Sequence, residues 1–242
     1  MSDNHNPDKP DTLKYTAAVE KRFKAPGPQP NGLQAADDGL WCIDQTNLKV
    51  HQLDWETGAV RHEFQTGTEH SSGITLDGDG NVWITSTWQL EVVKYDPRTG
   101  EELARYPDPG KGVAAMVETT PPPWKPSSSH GIEWRDGLVY LAAPPTQRLH
   151  VMDAASWTEV RSLVAPGLRI HGIGWNRDGR LWVSDTSSGA VHLMDTHSGR
   201  FVDVFRVAEP DEVHGMTVRG GEEIWYCDAG TCDIGVLKPP GS

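Results

Sequence analysis

The sequence predicts an all-β fold, a five-bladed β-propeller of four-stranded blades closed by its own N-terminal strand. Three observations predict it. A glycine-centred phrase recurs as Asn31-Gly32-Leu33, Ser72-Gly73-Ile74, His130-Gly131-Ile132, His171-Gly172-Ile173 and His214-Gly215-Met216, with the glycines 41, 58, 41 and 43 residues apart. A second phrase follows each one and centres on Trp41, Trp83, Tyr140, Trp182 and Trp225. A third ends on Asp and a turn, as in Asp54-Trp55-Glu56-Thr57-Gly58, Asp96-Pro97-Arg98-Thr99-Gly100 and Asp195-Thr196-His197-Ser198-Gly199. Each phrase alternates apolar and polar residues with the period of a strand and is bounded by turn residues such as Asp77-Gly78-Asp79-Gly80. Four short strands per repeat of roughly 40–45 residues is the signature of a propeller.

Taken in order, the glycine phrase is the inner strand, the aromatic phrase the second, and the strand before the Asp turn the third. The last unit ends after a third strand near Asp233–Leu237. Its missing fourth strand is supplied by residues 15–25, because Phe23 precedes Gly32 by nine residues, as Phe64 precedes Gly73 and Leu163 precedes Gly172. Closing the ring this way removes the exposed edges. Residues 1–14 read as a flexible tail and 15–242 as one domain. The phased Trp positions serve every blade alike, so they read as packing between blades.

Composition excludes several classes. A formal charge of -12 argues against nucleic acid or an anionic membrane as partner. Three Cys cannot build a disulfide framework. The first residues lack the apolar run of a signal peptide, and no stretch is long and apolar enough for a spanning helix. A cytoplasmic protein with a small-molecule substrate is the expectation.

The chemistry is expected on the axis. His130, His171 and His214 stand in the same phase at the start of three inner strands, where Asn31 and Ser72 stand in the other two. His70 lies two residues before Ser72, so strand alternation keeps it on the same side, about 6.6 Å further along. Four imidazoles from separate blades point to a divalent metal (Fe, Zn, Mn, Ni, Cu or Mg). Asp44, Asp185 and Asp228 close second strands on the same face and are candidates to orient the ring nitrogens or move protons. Equally, each His could bond a neighbouring blade as a repeat feature. His51, His150 and His192 show that phase alone does not make a ligand, for they too recur, three residues before the Asp of the third phrase.

One layer further out, three residues before each glycine, stand Gln29, His70, Ser128, Arg169 and Glu212. Arg169 suits a substrate carboxylate and Glu212 a proton, or the two pair with each other across adjacent blades. The 58-residue spacing places an insertion at 107–128 over this face. There Trp124, Met116 and Val117 could form a lid, with Trp88 as a second wall.

His-Gly-Ile, Asp77-Gly78-Asp79-Gly80-Asn81-Val82-Trp83-Ile84-Thr85 and Tyr95-Asp96-Pro97-Arg98-Thr99-Gly100 resemble repeats of the streptogramin (virginiamycin B) lyase family. The resemblance implies a propeller and, by analogy, elimination chemistry with magnesium and an axial His, here His171 or His214, as proton-transfer group. The expectation is therefore a metal-dependent lyase at the axial His cluster. A metal-dependent oxygenase or hydrolase at that site, or a non-catalytic propeller that binds a partner on one face, are the alternatives.

Overall fold

The computed structural model describes residues 15–113, 126–208 and 212–239. Among these residues all regular structure is strand, twenty in number, and no helix is long and apolar enough to cross a membrane. Three units form separate four-stranded antiparallel sheets. The first is β2 (Pro30–Ala36), β3 (Gly39–Asp44), β4 (Lys49–Leu53) and β5 (Val60–Gln65). The second is β6 (Ser71–Leu76), β7 (Val82–Ser86), β8 (Glu91–Tyr95) and β9 (Glu102–Pro107). The third is β10 (Gly131–Arg135), β11 (Leu138–Ala143), β12 (Arg148–Asp153) and β13 (Glu159–Val164).

The remaining strands join into one eight-stranded sheet. Its halves are β14 (Ile170–Trp175), β15 (Leu181–Asp185), β16 (Ala190–Asp195) and β17 (Arg200–Val207), and β18 (Gly215–Arg219), β19 (Glu223–Cys227), β20 (Asp233–Lys238) and β1 (Thr16–Lys24). The N-terminal strand β1 pairs antiparallel with the C-terminal β20, from Ala18 opposite Lys238 to Lys24 opposite Asp233. It also touches β17 in parallel through Thr16 and Ala17, which links the halves. The first strand thus completes the last unit, as the spacing of Phe23 predicts. Lys21 and Lys24 reinforce the seam, both reaching Asp233, at 2.8 and 2.6 Å. The whole is a propeller, with inner strands β2, β6, β10, β14 and β18 touching one another in a cycle.

The repeat glycines now have a physical cause. A Cβ on Gly73 would lie 2.3 Å from the His130 carbonyl oxygen, and one on Gly131 2.0 Å from that of His171. One on Gly172 would lie 2.3 Å from the Met216 amide nitrogen, one on Gly215 2.7 Å from the Gly32 Cα, and one on Gly32 2.6 Å from the Ser72 carbonyl. Every inner strand is packed backbone to backbone on the next, so no side chain fits at these positions.

The phased aromatic positions are all buried. Trp225 meets Trp55 edge to face at 5.0 Å, Trp182 meets Phe205 at 5.3 Å and Tyr140 meets Trp175 at 4.9 Å. Trp83 stacks on Tyr106 at 5.4 Å and on Trp157 at 5.9 Å. Trp225–Trp55, Tyr140–Trp175 and Trp83–Trp157 cross between units, the packing expected from the repeat, while Trp182–Phe205 and Trp83–Tyr106 lie within one unit.

The Asp of the third phrase makes the outer turn. Asp54, Asp96, Asp153 and Asp195 each accept hydrogen bonds from the amides two and three residues on. The turn then needs a left-handed residue, supplied by Gly58 (φ +69°), Gly100 (φ +70°) and Gly199 (φ +73°). In the third unit Trp157 takes that place at φ +53°, and its stacking on Tyr106 at 4.5 Å and Trp83 offsets the cost.

Candidate active site at the axial face

The site is built on loops pinned in the same way in four units. The buried Asp44 carboxylate accepts from the Gln29 amide (2.6 Å), Asp185 from Arg169 (3.1 Å) and Asp228 from Glu212 (3.0 Å); Ser86 Oγ does the same for Glu69 (2.9 Å). The remaining oxygen lone pairs serve the following turn: Thr46 and Asn47 on Asp44, Ser187 and Ser188 on Asp185, Gly230 and Thr231 on Asp228. These three carboxylates therefore hold backbone. Asp44 and Asp228 each accept three such bonds and Asp185 four.

The axial histidines are together, as their phase predicts, but they stack. His130 lies face to face with His171 at 4.4 Å and 10°, and His171 lies against His214 at 4.8 Å and 31°. His70 belongs to a different stack. At φ +53° it turns onto Trp88, ring on ring at 4.1 Å and 8°. Trp88 itself is exposed on this face.

Burial sets the charge of the stack. Desolvation, followed by the repulsion that two protonated rings would feel and by the charge of Arg169, holds His130 at about 3 and His171 well below its ordinary value. His214 is held at about 4 by burial and then Arg169. All three are neutral imidazoles at neutral pH. His130 Nε2 lies 3.3 Å from Ser127 Oγ, and His214 Nε2 lies 3.8 Å from Glu212 Oε1. Four buried ring nitrogens, His130 Nδ1, both of His171 and His214 Nδ1, make no hydrogen bond among the described residues. Such groups are costly unless something satisfies them.

Whether these residues suit a metal ion divides into two questions. The donors suit one, since they are neutral and have unpartnered nitrogens. Their arrangement does not, because ring nitrogens donate in the ring plane and stacked planes do not converge on a point. Among the described residues no group of three His, Cys, Asp or Glu is arranged to hold an ion. The four-imidazole centre expected from phase is therefore not assembled in this arrangement.

At the mouth, Arg169 Nη1 donates to Glu212 Oε1 at 3.0 Å, the cross-blade pair weighed above. Burial pushes the Glu212 carboxyl above its ordinary range although Arg169 pulls it down, and Asp228 adds to the rise. Asn31 and Ser72 are buried and bonded inward, Asn31 Nδ2 donating to Gln45 Oε1 and Thr87 Oγ1 to Ser72 Oγ. The base of the insertion is pinned beside β10: Gly112 and Ser127 pair as a bridge, and the Asp108 carboxyl accepts from Gly110 and Ser129. Trp124, Met116 and Val117 lie outside the described residues.

A polar set at the far end of the inner strands was missed. Two residues beyond each repeat glycine stand Gln34, Thr75, Glu133, Gly174 and Thr217. Thr75 Oγ1 reaches Gln34 Oε1 at 2.8 Å and Glu133 Oε2 at 3.4 Å, and burial pushes the Glu133 carboxyl up to about 8. The signal was available, since four of the five in-phase positions are polar within otherwise apolar strands.

Comparison with known structures supports the architecture. Glutaminyl cyclase from Myxococcus xanthus superposes with a TM-score of 0.70 at 12% identity, covering 93% of this chain and 97% of that one. A streptogramin B lyase gives 0.56 at 17% identity over 91% of this chain and 97% of that one. An inactive variant of virginiamycin B lyase from Staphylococcus aureus, solved with quinupristin, gives 0.53 at 17% identity, over 89% of this chain and 68% of that one. This chain shares its fold with the streptogramin B lyases. A family model of the WD40 domain of anaphase-promoting complex subunit 4 matches residues 145–219. No curated protein matches the sequence significantly.

Proposed function

We propose that this chain is a five-bladed propeller enzyme that works at the His130–His171–His214 end of its axis. It acts on a small polar or acidic molecule by proton transfer, with elimination as the reaction class. The blade count rests on the five inner strands that touch in a cycle and on β1 completing the last unit. The reaction class rests on the resemblance of the repeats and on two neighbours in fold, a lyase and a cyclase, that are enzymes.

The observation that carries the reading is the stack of three neutral imidazoles, His171 and His214 buried and His130 half-buried, with ring nitrogens that find no partner among the described residues. A neutral imidazole accepts a proton. His214 is assigned that role because its Nε2 lies 3.8 Å from Glu212 Oε1, the atom paired with Arg169, while His171 lies between His130 and His214 and positions it. Arg169 would hold the substrate carboxylate. His214 would take the proton from the adjacent carbon, the C–H electron pair would become the new C=C bond, and the leaving group on the next carbon would depart with its bonding pair. The proton on His214 then passes to the leaving group or to solvent. Asp185 and Asp228 act on this chemistry by fixing the backbones of Arg169 and Glu212.

The test is a panel of β-substituted small carboxylates, followed by the ultraviolet absorbance of the new double bond. Turnover that falls about 100-fold or more in His214→Ala, with an unchanged circular dichroism spectrum, is the expected result. Equal turnover in the variant would sink the assignment.

A divalent ion at the same histidines is the second reading, favoured by the four unpartnered nitrogens. It requires the rings to leave their stack, and it predicts about one ion per chain in protein purified without added metal. Metal content far below that, unchanged in a His171→Ala/His214→Ala variant, would remove it.

A further inference from the structure

The pair at the mouth carries an inference that rests on the reading above and names the substrate class. We infer that the Glu212 side chain is an internal stand-in for a substrate monocarboxylate on Arg169, displaced when that substrate binds.

Four observations support this. The first is that the two backbones are fixed and the two side chains are not. The Arg169 and Glu212 amides are each tied to a buried carboxylate of their own blade, at 3.1 and 3.0 Å. Their side chains are 42% and 37% exposed and meet in a single contact, Nη1 to Oε1. A side-chain rotation alone therefore frees the guanidinium. Second, the same Oε1 stands 3.8 Å from His214 Nε2, so whatever takes the place of Glu212 lies next to the His214 imidazole. Third, the seat is an uneasy one for Glu212, whose carboxyl is half-buried and raised by that burial and by Asp228. Fourth, the surroundings select charge. His130, His171 and His214 are neutral, and the carboxylates of Asp185 and Asp228 lie directly behind the two loops. One guanidinium with two anions behind it favours a monoanion over a dianion such as phosphate.

A tethered carboxylate on Arg169 reduces the apparent affinity for a free one by the fraction of time the guanidinium is occupied. For an exposed Arg–Glu pair this corresponds to a roughly two- to sixfold penalty. Removing the tethered competitor should remove the penalty, so a loss of charge at Glu212 should produce a gain of binding. An ion pair that only braces two blades makes the opposite forecast.

The experiment is a ligand-observed NMR titration with acetate and with N-acetylglycine, using inorganic phosphate as control, on the wild type, Glu212→Gln and Arg169→Gln. Both carboxylates should bind Glu212→Gln about two- to sixfold tighter than the wild type and should lose their site in Arg169→Gln, while phosphate shows no such gain. Binding to Glu212→Gln no tighter than to the wild type, or undiminished in Arg169→Gln, overturns the inference. An equal gain for phosphate overturns the carboxylate class. Thermal melts of both variants establish that the fold is retained. Loss of this inference would leave the His214 reading standing if turnover still depended on His214, which separates the two.

Discussion

Glu133→Gln should stabilise the protein, and by more as the pH rises. Glu133 is buried where the inner strands end, with Thr75 Oγ1 at 3.4 Å as a hydrogen-bond partner, and burial lifts its carboxyl from 4.5 to about 8. The sign follows from linkage. Below pH 4.5 the carboxyl is protonated in both the folded and the unfolded chain, and this stability is fully present. Above it the unfolded chain loses the proton while the folded one keeps it. Stability then falls by about 1.4 kcal/mol per pH unit. The loss reaches about 3 kcal/mol at pH 7 and about 5 kcal/mol near pH 8, where the folded carboxyl also ionises. Gln has nearly the same shape, can still bond Thr75, and does not ionise. Urea unfolding followed by tryptophan fluorescence at pH 5, 6, 7 and 8 should show wild type and variant close together at pH 5 and separating steadily above it. A constant difference across that range, or a variant less stable at pH 8, would refute the argument that burial keeps this carboxyl neutral.

The other predictions concern closure, packing and the site. Gly131→Ala places a Cβ 2.0 Å from a backbone oxygen and should cost about 3 kcal/mol or more, whereas Gly137→Ala, at φ +79° with nothing within 4 Å, should cost about 1–2 kcal/mol; paired denaturant midpoints compare them. Asp233→Asn should loosen the β1–β20 seam by about 1 kcal/mol or less, since both lysines are largely exposed. Burial alone would raise the Asp233 carboxyl, but Lys21 and Lys24 hold it at about 2, so the difference between Asn and wild type should vanish as acid protonates it. Trp157→Ala removes a stacking partner of Tyr106 and Trp83 from a left-handed position, and should lower the melting temperature, while Trp157→Gly, free of the backbone strain, should lower it less. Turnover at the axial site should need neutral His214, and its acid limb should lie near pH 4; a limb near 6.5 would mean an imidazole that is not buried.

Much of the architecture was legible because its causes repeat. The glycines recur because five backbones meet where no Cβ fits, and the Trp positions recur because each blade needs the same wedge. The role of β1 was legible because Phe23 keeps the phase of Phe64 and Leu163 although its unit is split across the chain ends. What sequence spacing could not carry was direction. His130, His171 and His214 share a phase, but whether rings in phase converge or stack depends on side-chain torsions and on how closely the inner strands approach. His70 keeps strand parity on paper, yet its left-handed backbone turns it to Trp88. Asp185 and Asp228 lie at the right end of their strands, but an Asp followed by a turn bonds the nearby amides first. The Trp157 turn was hidden because a bulky residue stands where the other units have glycine.

The proposed chemistry turns on proton transfer between the axial imidazole face and the carbon next to a bound carboxylate. Deuterium exchange at the carbon next to the carboxylate, followed by proton NMR in deuterated buffer over the panel of small carboxylates, measures that step without requiring a leaving group. Exchange should be catalysed by the wild type for at least one member of the panel, abolished in His214→Ala and strongly reduced in Arg169→Gln. Exchange at the same rate in His214→Ala as in the wild type, or no exchange with any carboxylate that binds, would contradict it.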